Sequence, residues 1–374
     1  VAEGLQPYEA LKVLLSILAA LALAVTLYGV ARIARSITRP VAELVSAARE
    51  IERGNYGISV AGAGSLEIEE LSRAFNGMTR GLAERDTMRD VLGKVASPEI
   101  ANQLLTGEIA LGGEERDATV LFTDIRNFTT LAERLTPTET LALLNEFLTV
   151  ISAVIERHGG VVDKYLGDGV MAIFGAPVRL ANDAQSAIEA AIAIRDEVRT
   201  LGRSLAERGL PNPDVGVGVN TSRVIAGNVG SPTRLNYTVL GDGVNLASRL
   251  EGLTKRYQVA IVTSERTREG VSGIAFRELD KVRVRGRSQA VRVFEPLARE
   301  EALGAEERTR LANWHAALED FRERHWERSG ERFDSLAAAP GYARLAEIYR
   351  GYLAGHQANP PGDDWDGAFT LYEK

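Results

Sequence analysis

The 374-residue chain contains no cysteine, which excludes disulfides, thiolate metal centres and cysteine nucleophiles. Its four histidines, His158, His315, His325 and His356, never fall at the HExxH spacing of a zinc hydrolase. No basic stripe covers a domain and the net charge is −7, so no nucleic acid is expected as a partner. Charge is also missing from the 19 residues Val13 to Ala31, rich in Leu, Ala and Val. At about 1.5 Å per residue this run approaches the ~30 Å hydrocarbon core of a lipid membrane. It is longer than the apolar core of a signal peptide and predicts a transmembrane helix. Glu3, Glu9 and Lys12 precede it, while Arg32, Arg35 and Arg39 follow. The positive-inside bias then predicts a single pass of the cell (inner) membrane, with everything after residue 32 in the cytoplasm. The first residue is Val, which fits a literally read GUG start or a piece of a longer protein with a sensor and a first span upstream. A content of 25% charged and 45% apolar residues is that of a folded protein, here of two or three modules.

Two isolated aspartates sit in matched settings. Asp124 ends the apolar run Thr119-Val120-Leu121-Phe122-Thr123, and Asp168 lies at the tip of a hairpin predicted over Val161 to Phe174. Singly, each reads as readily as a turn former or a helix cap. As a pair at the ends of neighbouring strands, they suit hard divalent ions that keep some waters and take remaining ligands from phosphates. That is a two-metal arrangement for chemistry at phosphorus. Around them, residues 116 to 297 alternate strand-like segments (Ala118 to Thr123, Val215 to Val219, Val224 to Val229) with helix-like ones (Pro137 to His158, Asp183 to Arg208). This order predicts an α/β fold, an α+β sandwich with helices covering a mixed sheet. Asn245 and Arg249, four apart on a helix predicted after Asp242, share a face and can reach one ligand. Asp242 reads as that helix's N-cap.

Upstream, Ile37, Val41, Leu44, Ala48 and Ile51 recur at heptad steps, and Ile68, Leu71, Phe75, Met78 and Leu82 repeat the pattern. Gly54-Asn55-Tyr56-Gly57 and Ala61-Gly62-Ala63-Gly64 break the helix between them. Helices this short are marginal alone, which predicts a parallel dimer forming a four-helix bundle. Two heptad helices joined by a connector and starting at Thr38-Arg39-Pro40 resemble a HAMP signalling domain, over residues 33 to 86.

The runs Thr123-Asp124-Ile125-Arg126-Asn127-Phe128-Thr129, Lys164-Tyr165-Leu166-Gly167-Asp168-Gly169 and Tyr237-Thr238-Val239-Leu240-Gly241-Asp242-Gly243-Val244-Asn245-Leu246-Ala247-Ser248-Arg249-Leu250-Glu251 occur in this order. Together they resemble the class III nucleotidyl cyclase family. The resemblance implies a ferredoxin-like core and two sites shared across a head-to-tail homodimer. It implies two Mg²⁺ or Mn²⁺ ions per active site, held by Asp124, Asp168 and the Ile125 carbonyl. Backbone amides from Arg126 through Asn127, Phe128 and Thr129, where a helix begins, are placed to cradle phosphate oxygens. The side chains of Phe128 and Thr129 read instead as a core aromatic and a cap. By the same resemblance, Asn245 orients the ribose and Arg249 stabilises transition-state charge on the α-phosphate. Lys164 and Thr238 stand where relatives read the purine edge. Guanylate cyclases carry a Glu and a Cys-type pair there, so Lys with Thr points to ATP. The Thr form also resembles a subgroup stimulated by bicarbonate, a candidate effector. Val284-Arg285-Gly286-Arg287 resembles the loop that supplies a cation to the triphosphate, with Arg285 the choice.

The expectation is a membrane-bound adenylate cyclase converting ATP to 3′,5′-cyclic AMP and pyrophosphate, regulated through the HAMP domain. A guanylate cyclase and a non-catalytic signalling scaffold are the alternatives. The expected organisation is an extracytoplasmic stub (1–12), a transmembrane helix (13–32), the HAMP domain (33–86), a coupling helix and linker (87–115), the catalytic domain (116–297) and a helical tail (298–374). Gly112-Gly113-Glu114-Glu115-Arg116, which resembles the diguanylate cyclase signature, reads as a linker turn. Asn220-Thr221-Ser222 reads as a turn where relatives often carry Gly. The tail reads as two helices, about Glu306 to Arg328 and Gly330 to Gln357, resembling one tetratricopeptide-type unit. One unit cannot bury its own face, so it is expected to pack on the catalytic domain or on its twin through Trp314, Phe321, Phe333, Tyr342 and Tyr349.

Overall fold

The computed structural model describes residues 6–62, 65–95, 112–210, 212–231, 234–284, 289–363 and 365–371. The chain divides into two units, Val1–Val95 and Ala96–Lys374. In the first, helix α1 (Gln6–Ile33) leads through a π turn (Ala34–Thr38) into α2 (Arg39–Glu52). Pro40, in the first turn of α2, has no N–H to give the carbonyl four residues back. The helix widens there, with the Arg39 N–H reaching the Ala34 carbonyl. The stretch Leu11–Glu52 is long and apolar enough to cross a membrane, and the side chains of Leu14, Leu18, Leu21 and Val25 are exposed.

A connector returns the chain to α3 (Leu66–Val95). Val60 inserts between α2 and α3 beside Leu44 and Ala47. The Asn76 side chain completes the connector: its Oδ1 accepts from the Val60 N–H and its Nδ2 donates to the Val60 carbonyl, both at 2.9 Å. An amide side chain thereby supplies the pairing a neighbouring strand would give. Ala47, not Ala48, is buried in this core beside Leu44. Of the remaining heptad positions, Ile37, Val41, Leu71 and Met78 stay exposed in the single chain.

The second unit is built on the order β1 (Gly112–Ile125), α4 (Phe128–Ala132), α5 (Pro137–Arg157), β2 (Val161–Leu166), β3 (Gly169–Phe174), α6 (Asp183–Glu207) and β4 (Val215–Ser231). Its strands lie in the order β2-β3-β1-β4, all antiparallel, which is the ferredoxin-like arrangement. Thr136 and Glu139 form a capping box on α5, and Asn182 caps α6. The inner faces of both helices cover one side of the sheet, where Phe147, Ile151, Ile188 and Ile194 are fully buried with Leu121 and Val217. Each such side chain contributes about 1.5–3 kcal/mol of burial.

Strand β5 (Arg234–Leu240) pairs with the far end of β4 and packs on the opposite side of the sheet, Val239 meeting Met171 and Ile173. Helix α7 (Asp242–Tyr257), β6 (Ile261–Ser264), α8 (Glu265–Glu269), β7 (Ile274–Val284) and β8 (Val291–Arg299) follow, with β6 parallel to β4.

The strands correct three sequence expectations. β4 is one strand from Val215 to Ser231, where two were expected. Asn220-Thr221-Ser222 lies in its middle: Asn220 is buried, donating to the Gly243 carbonyl at 2.8 Å and accepting from the Ser264 hydroxyl at 2.7 Å. These side-chain partners make a polar stretch compatible with a central strand. Residues Gly112 to Arg116 are no linker turn but the start of β1, paired with Val224 to Asn228. A Cβ on Gly113 would come within 2.7 Å of the Ile225 side chain, so the close approach of β1 to β4 requires glycine there.

The tail forms three helices, not two: α9 (Ala305–Arg322), α10 (Trp326–Leu336) and α11 (Ala343–Ala358). Left-handed residues Arg324 and Gly341 mark the breaks. All five expected aromatic anchors are buried, and they pack against Leu246, Leu250 and Tyr257 of α7 and Leu279 of β7 in the same unit. Trp314 Nε1 donates to the Glu278 carbonyl at 2.6 Å and Tyr349 to that of Leu279 at 3.0 Å. Strand β9 (Phe369–Leu371) then joins the sheet beside β7. Residues 96–111, holding most of the expected coupling segment, and Arg285 lie outside the described residues.

Candidate active site

Strand β1 delivers Asp124 at its end, opposite Gly216 of β4. The neighbouring Ile125 side chain is buried in the core, which leaves its backbone carbonyl as the group it can offer. The β2–β3 hairpin turns through Gly167, whose φ of 69° suits glycine, and Asp168. A Cβ on Gly169 would strike the Thr123 carbonyl oxygen, so β3 can lie this close to β1 only with glycine there. Val170 N–H donates to Thr123 Oγ1 at 3.1 Å and fixes the register. The two aspartates therefore converge. Burial first, then the Asp124 charge, raises the Asp168 carboxyl above its ordinary range.

Two residues without an assigned role complete this corner, both from α7. Lys255 Nζ lies 2.7 Å from Asp124 Oδ2. The Glu251 carboxyl is pushed up to about 7, by burial first and next by Asp124, with Lys255 and Arg126 opposing. Its Oε1 is buried without a hydrogen-bond partner. It lies where a Cβ on Gly216 would come within 2.8 Å, so the glycine opposite Asp124 makes room for it. Hard divalent cations fit this donor set: two converging carboxylates, an unpartnered carboxyl oxygen behind them, and lysine as the adjacent cation. Among the described residues, the acidic group whose three ligand atoms gather within 4.8 Å is Asp320, Glu323 and His325, in the tail. There Arg328 and Arg332 already bind Asp320, at 2.8 and 2.9 Å.

Beyond Asp124 the chain turns through Asn127, which is left-handed (φ 58°), into the single turn of α4. The Arg126 N–H is spent on the Asp214 carbonyl at 2.8 Å, which removes it from the expected phosphate cradle. Asn127 and Thr129 are exposed at the helix start, while Phe128 packs on the core. No side chain caps this turn, so Thr129 is not the cap expected.

Lys164 and Thr238 come from β2 and β5 and meet: Lys164 Nζ is 3.4 Å from Thr238 Oγ1. A bulge at Val162/Lys164 breaks strand alternation and lets Asp163 turn to the same hydroxyl. Thr238 donates to Asp163 Oδ2 at 2.9 Å, and Lys164 lies 3.2 Å from that oxygen. The Asp163 side chain is only 1% exposed.

Asn245 and Arg249 lie one turn apart on α7, exposed, with no hydrogen bond or ion pair among the described residues. The same helix buries Leu246, Ala247 and Leu250 on its inner side. Asp242 is its first helical residue and Gly241 its cap, because Gly241 precedes the turn in a positive-φ conformation open to glycine (φ 150°, ψ 164°). Within one chain, the two aspartates thus meet Glu251 and Lys255, not Asn245 and Arg249.

Residues 113–295 match the model of the adenylate and guanylate cyclase catalytic domain, and residues 32–84 match that of the HAMP domain. An uncharacterized protein of Mycobacterium tuberculosis, Rv1320c, is 35% identical over 261 residues, covering 69% of this chain and 45% of the relative. The chain thus spans about half the length of the curated relatives it matches. Among solved structures, the adenylyl cyclase CyaB of P. aeruginosa is 33% identical, covering 52% of this chain and 100% of its own, with a TM-score of 0.48. The guanylyl cyclase Cya2 is 31% identical, covering 52% and 98%, with a TM-score of 0.47. With its two-aspartate corner on a ferredoxin-like sheet and a HAMP domain upstream, the chain belongs to the class III nucleotidyl cyclases.

Proposed function

We propose that this protein is a membrane-anchored adenylate cyclase that closes ATP to 3′,5′-cyclic AMP and releases pyrophosphate. The observation that carries the choice of base is the meeting of Lys164 and Thr238 from separate strands, 3.4 Å apart. An ammonium offers donors to the unprotonated ring nitrogen N1 of adenine, and a hydroxyl oxygen accepts from its 6-amino group. Guanine reverses both positions.

Asp124, Asp168 and the Ile125 carbonyl would hold two divalent ions, Mg²⁺ or Mn²⁺, which supply Lewis acidity toward the ribose 3′-hydroxyl and the leaving pyrophosphate. Asn245 orients the ribose. Arg249, always charged and rich in donors, takes up charge developing at the α-phosphate. Amides at Asn127, Phe128 and Thr129, with Arg285, receive the triphosphate. Asn245 and Arg249 face away from their own Asp124, which supports a site assembled from two copies, with Lys164 and Thr238 on the same chain as Arg249. The exposed Val41, Leu71 and Met78 on the HAMP helices offer a surface for the same dimer. We place the catalytic unit on the cytoplasmic side of the inner membrane, from the arginines after the apolar helix. Bicarbonate is retained as a candidate effector.

The test is cyclic nucleotide formation by the full chain in membranes with Mn²⁺, given ATP and GTP separately. Cyclic AMP from ATP alone is the expected result. Cyclic GMP from GTP in place of it would move the assignment to a guanylate cyclase, and no product from a folded dimer to a scaffold.

A further inference from the structure

The base side of the site holds a third polar group besides Lys164 and Thr238. The Asp163 carboxylate is 1% exposed, accepts from Thr238 Oγ1 at 2.9 Å and has Lys164 Nζ at 3.2 Å. Burial raises this carboxyl, while Lys164 and Thr238 hold it down. An isolated threonine hydroxyl does not choose between purines. It can rotate to accept from the 6-amino group of adenine or to donate to the 6-oxo group of guanine. A hydroxyl whose proton is committed elsewhere loses that choice.

We infer that Asp163 is a positioning residue that makes Thr238 a dedicated acceptor and so sets the preference for a 6-aminopurine. An ionised carboxylate only accepts and an ammonium only donates, so the Thr238 proton must point to Asp163. The oxygen then presents only lone pairs to the base. One faces Lys164; the other is left for the 6-amino group. A 6-oxo group there meets acceptor with acceptor, and no rotation relieves it while Asp163 holds the proton. Nearly complete burial makes this grip strong, because water cannot take over the carboxylate. The β2 bulge explains how adjacent residues 163 and 164 serve one hydroxyl from the same side. Asp163 need not touch the nucleotide; it acts through Thr238.

This inference rests on ATP being the substrate, and the test separates the two. The full-length protein in membranes is given ATP, GTP and purine riboside triphosphate, which lacks any 6-substituent. Wild type should prefer ATP to the purine analogue by about tenfold, the worth of one hydrogen bond near 1.4 kcal/mol. Asp163→Asn should lose that preference and gain relative activity on GTP, because an amide can donate to Thr238 and free its proton. Thr238→Val should lose the preference equally, and adding Asp163→Asn to it should change the ratio no further. Thr238→Ser, which keeps a hydroxyl beside intact Asp163, should retain it.

A preserved ATP-to-analogue ratio in Asp163→Asn, or a further loss in the Thr238→Val background, would overturn the inference. If turnover is too low, the same ratios are read by displacement of a fluorescent nucleotide. If Asp163→Asn does not fold, Asp163→Ser replaces it, since a hydroxyl there does not force the Thr238 proton inward. Wild type that fails to use ATP instead overturns the proposed function itself, before any variant is measured.

Discussion

Lys255 Nζ stands 2.7 Å from Asp124 Oδ2, tying the last turn of α7 to the carboxylate at the end of β1. The lysine places a positive charge in this acidic corner, and a divalent ion binding at Asp124 would have to push it aside. Replacing Lys255 with Met removes the competitor. Mn²⁺ binding without nucleotide, followed by the paramagnetic signal of free Mn²⁺, should tighten about two- to fivefold, as suits an exposed pair. Unchanged or weaker binding would show that the lysine supports the metal site instead of competing for it.

Asp124 and Arg249 are expected in different halves of a shared site. Asp124→Ala and Arg249→Ala chains should each be inactive as homodimers. Mixed in equal amounts and allowed to exchange, they should recover about a quarter of wild-type activity. Half the dimers are then mixed, and each has one site free of both lesions. No recovery from folded, exchanging dimers would place both residues in the same chain's site.

Burial pushes the Asp280 carboxyl up to about 6 although it accepts from Tyr257 at 2.9 Å and Tyr352 at 3.1 Å. Tyr349 lies 3.3 Å from its other oxygen, and Arg256, bound to Tyr352 at 2.8 Å, is the nearby cation. Its ordinary value is 3.8, so between there and 6 the folded chain keeps a proton that the unfolded chain has lost. Stability from this group is therefore greatest below the lower value and falls as pH rises through the upper one. Asp280→Asn, which cannot ionise, should gain on the order of 3 kcal/mol relative to wild type between about pH 4 and pH 7. Thermal melts of both proteins across that range check it; a constant difference would mean that Asp280 titrates normally.

Asp124 and Asp168 stand out in the sequence because they close strand-like runs, and Asn245 and Arg249 because they repeat on a helix; Lys164 and Thr238, inside β2 and β5, stand out only through the family resemblance. The residues that escaped notice act through tertiary contacts. Asp163 adjoins Lys164, yet without the β2 bulge strict alternation would turn it to the other side. Glu251 and Lys255 are four apart on α7, an ordinary exposed pair until the helix is laid against Gly216 and Asp124. The polar run Asn220, Thr221 and Ser222 reads as a break in β4, and only the partners of Asn220 and Thr221 on α7, β6 and α8 explain a strand there. The tail's aromatic anchors were readable, but its breaks depend on the left-handed backbone at Arg324 and Gly341.

Helix α7 holds Asn245 and Arg249 outward and Glu251 and Lys255 toward Asp124 on one rigid rod of 16 residues. Inserting a single residue between Arg249 and Glu251 would swing one half about 100° relative to the other. Either Asn245 and Arg249 or Glu251 and Lys255 would then point the wrong way. The spacing along this helix should therefore be closed to insertions and deletions in descendants of this gene, even where individual side chains drift.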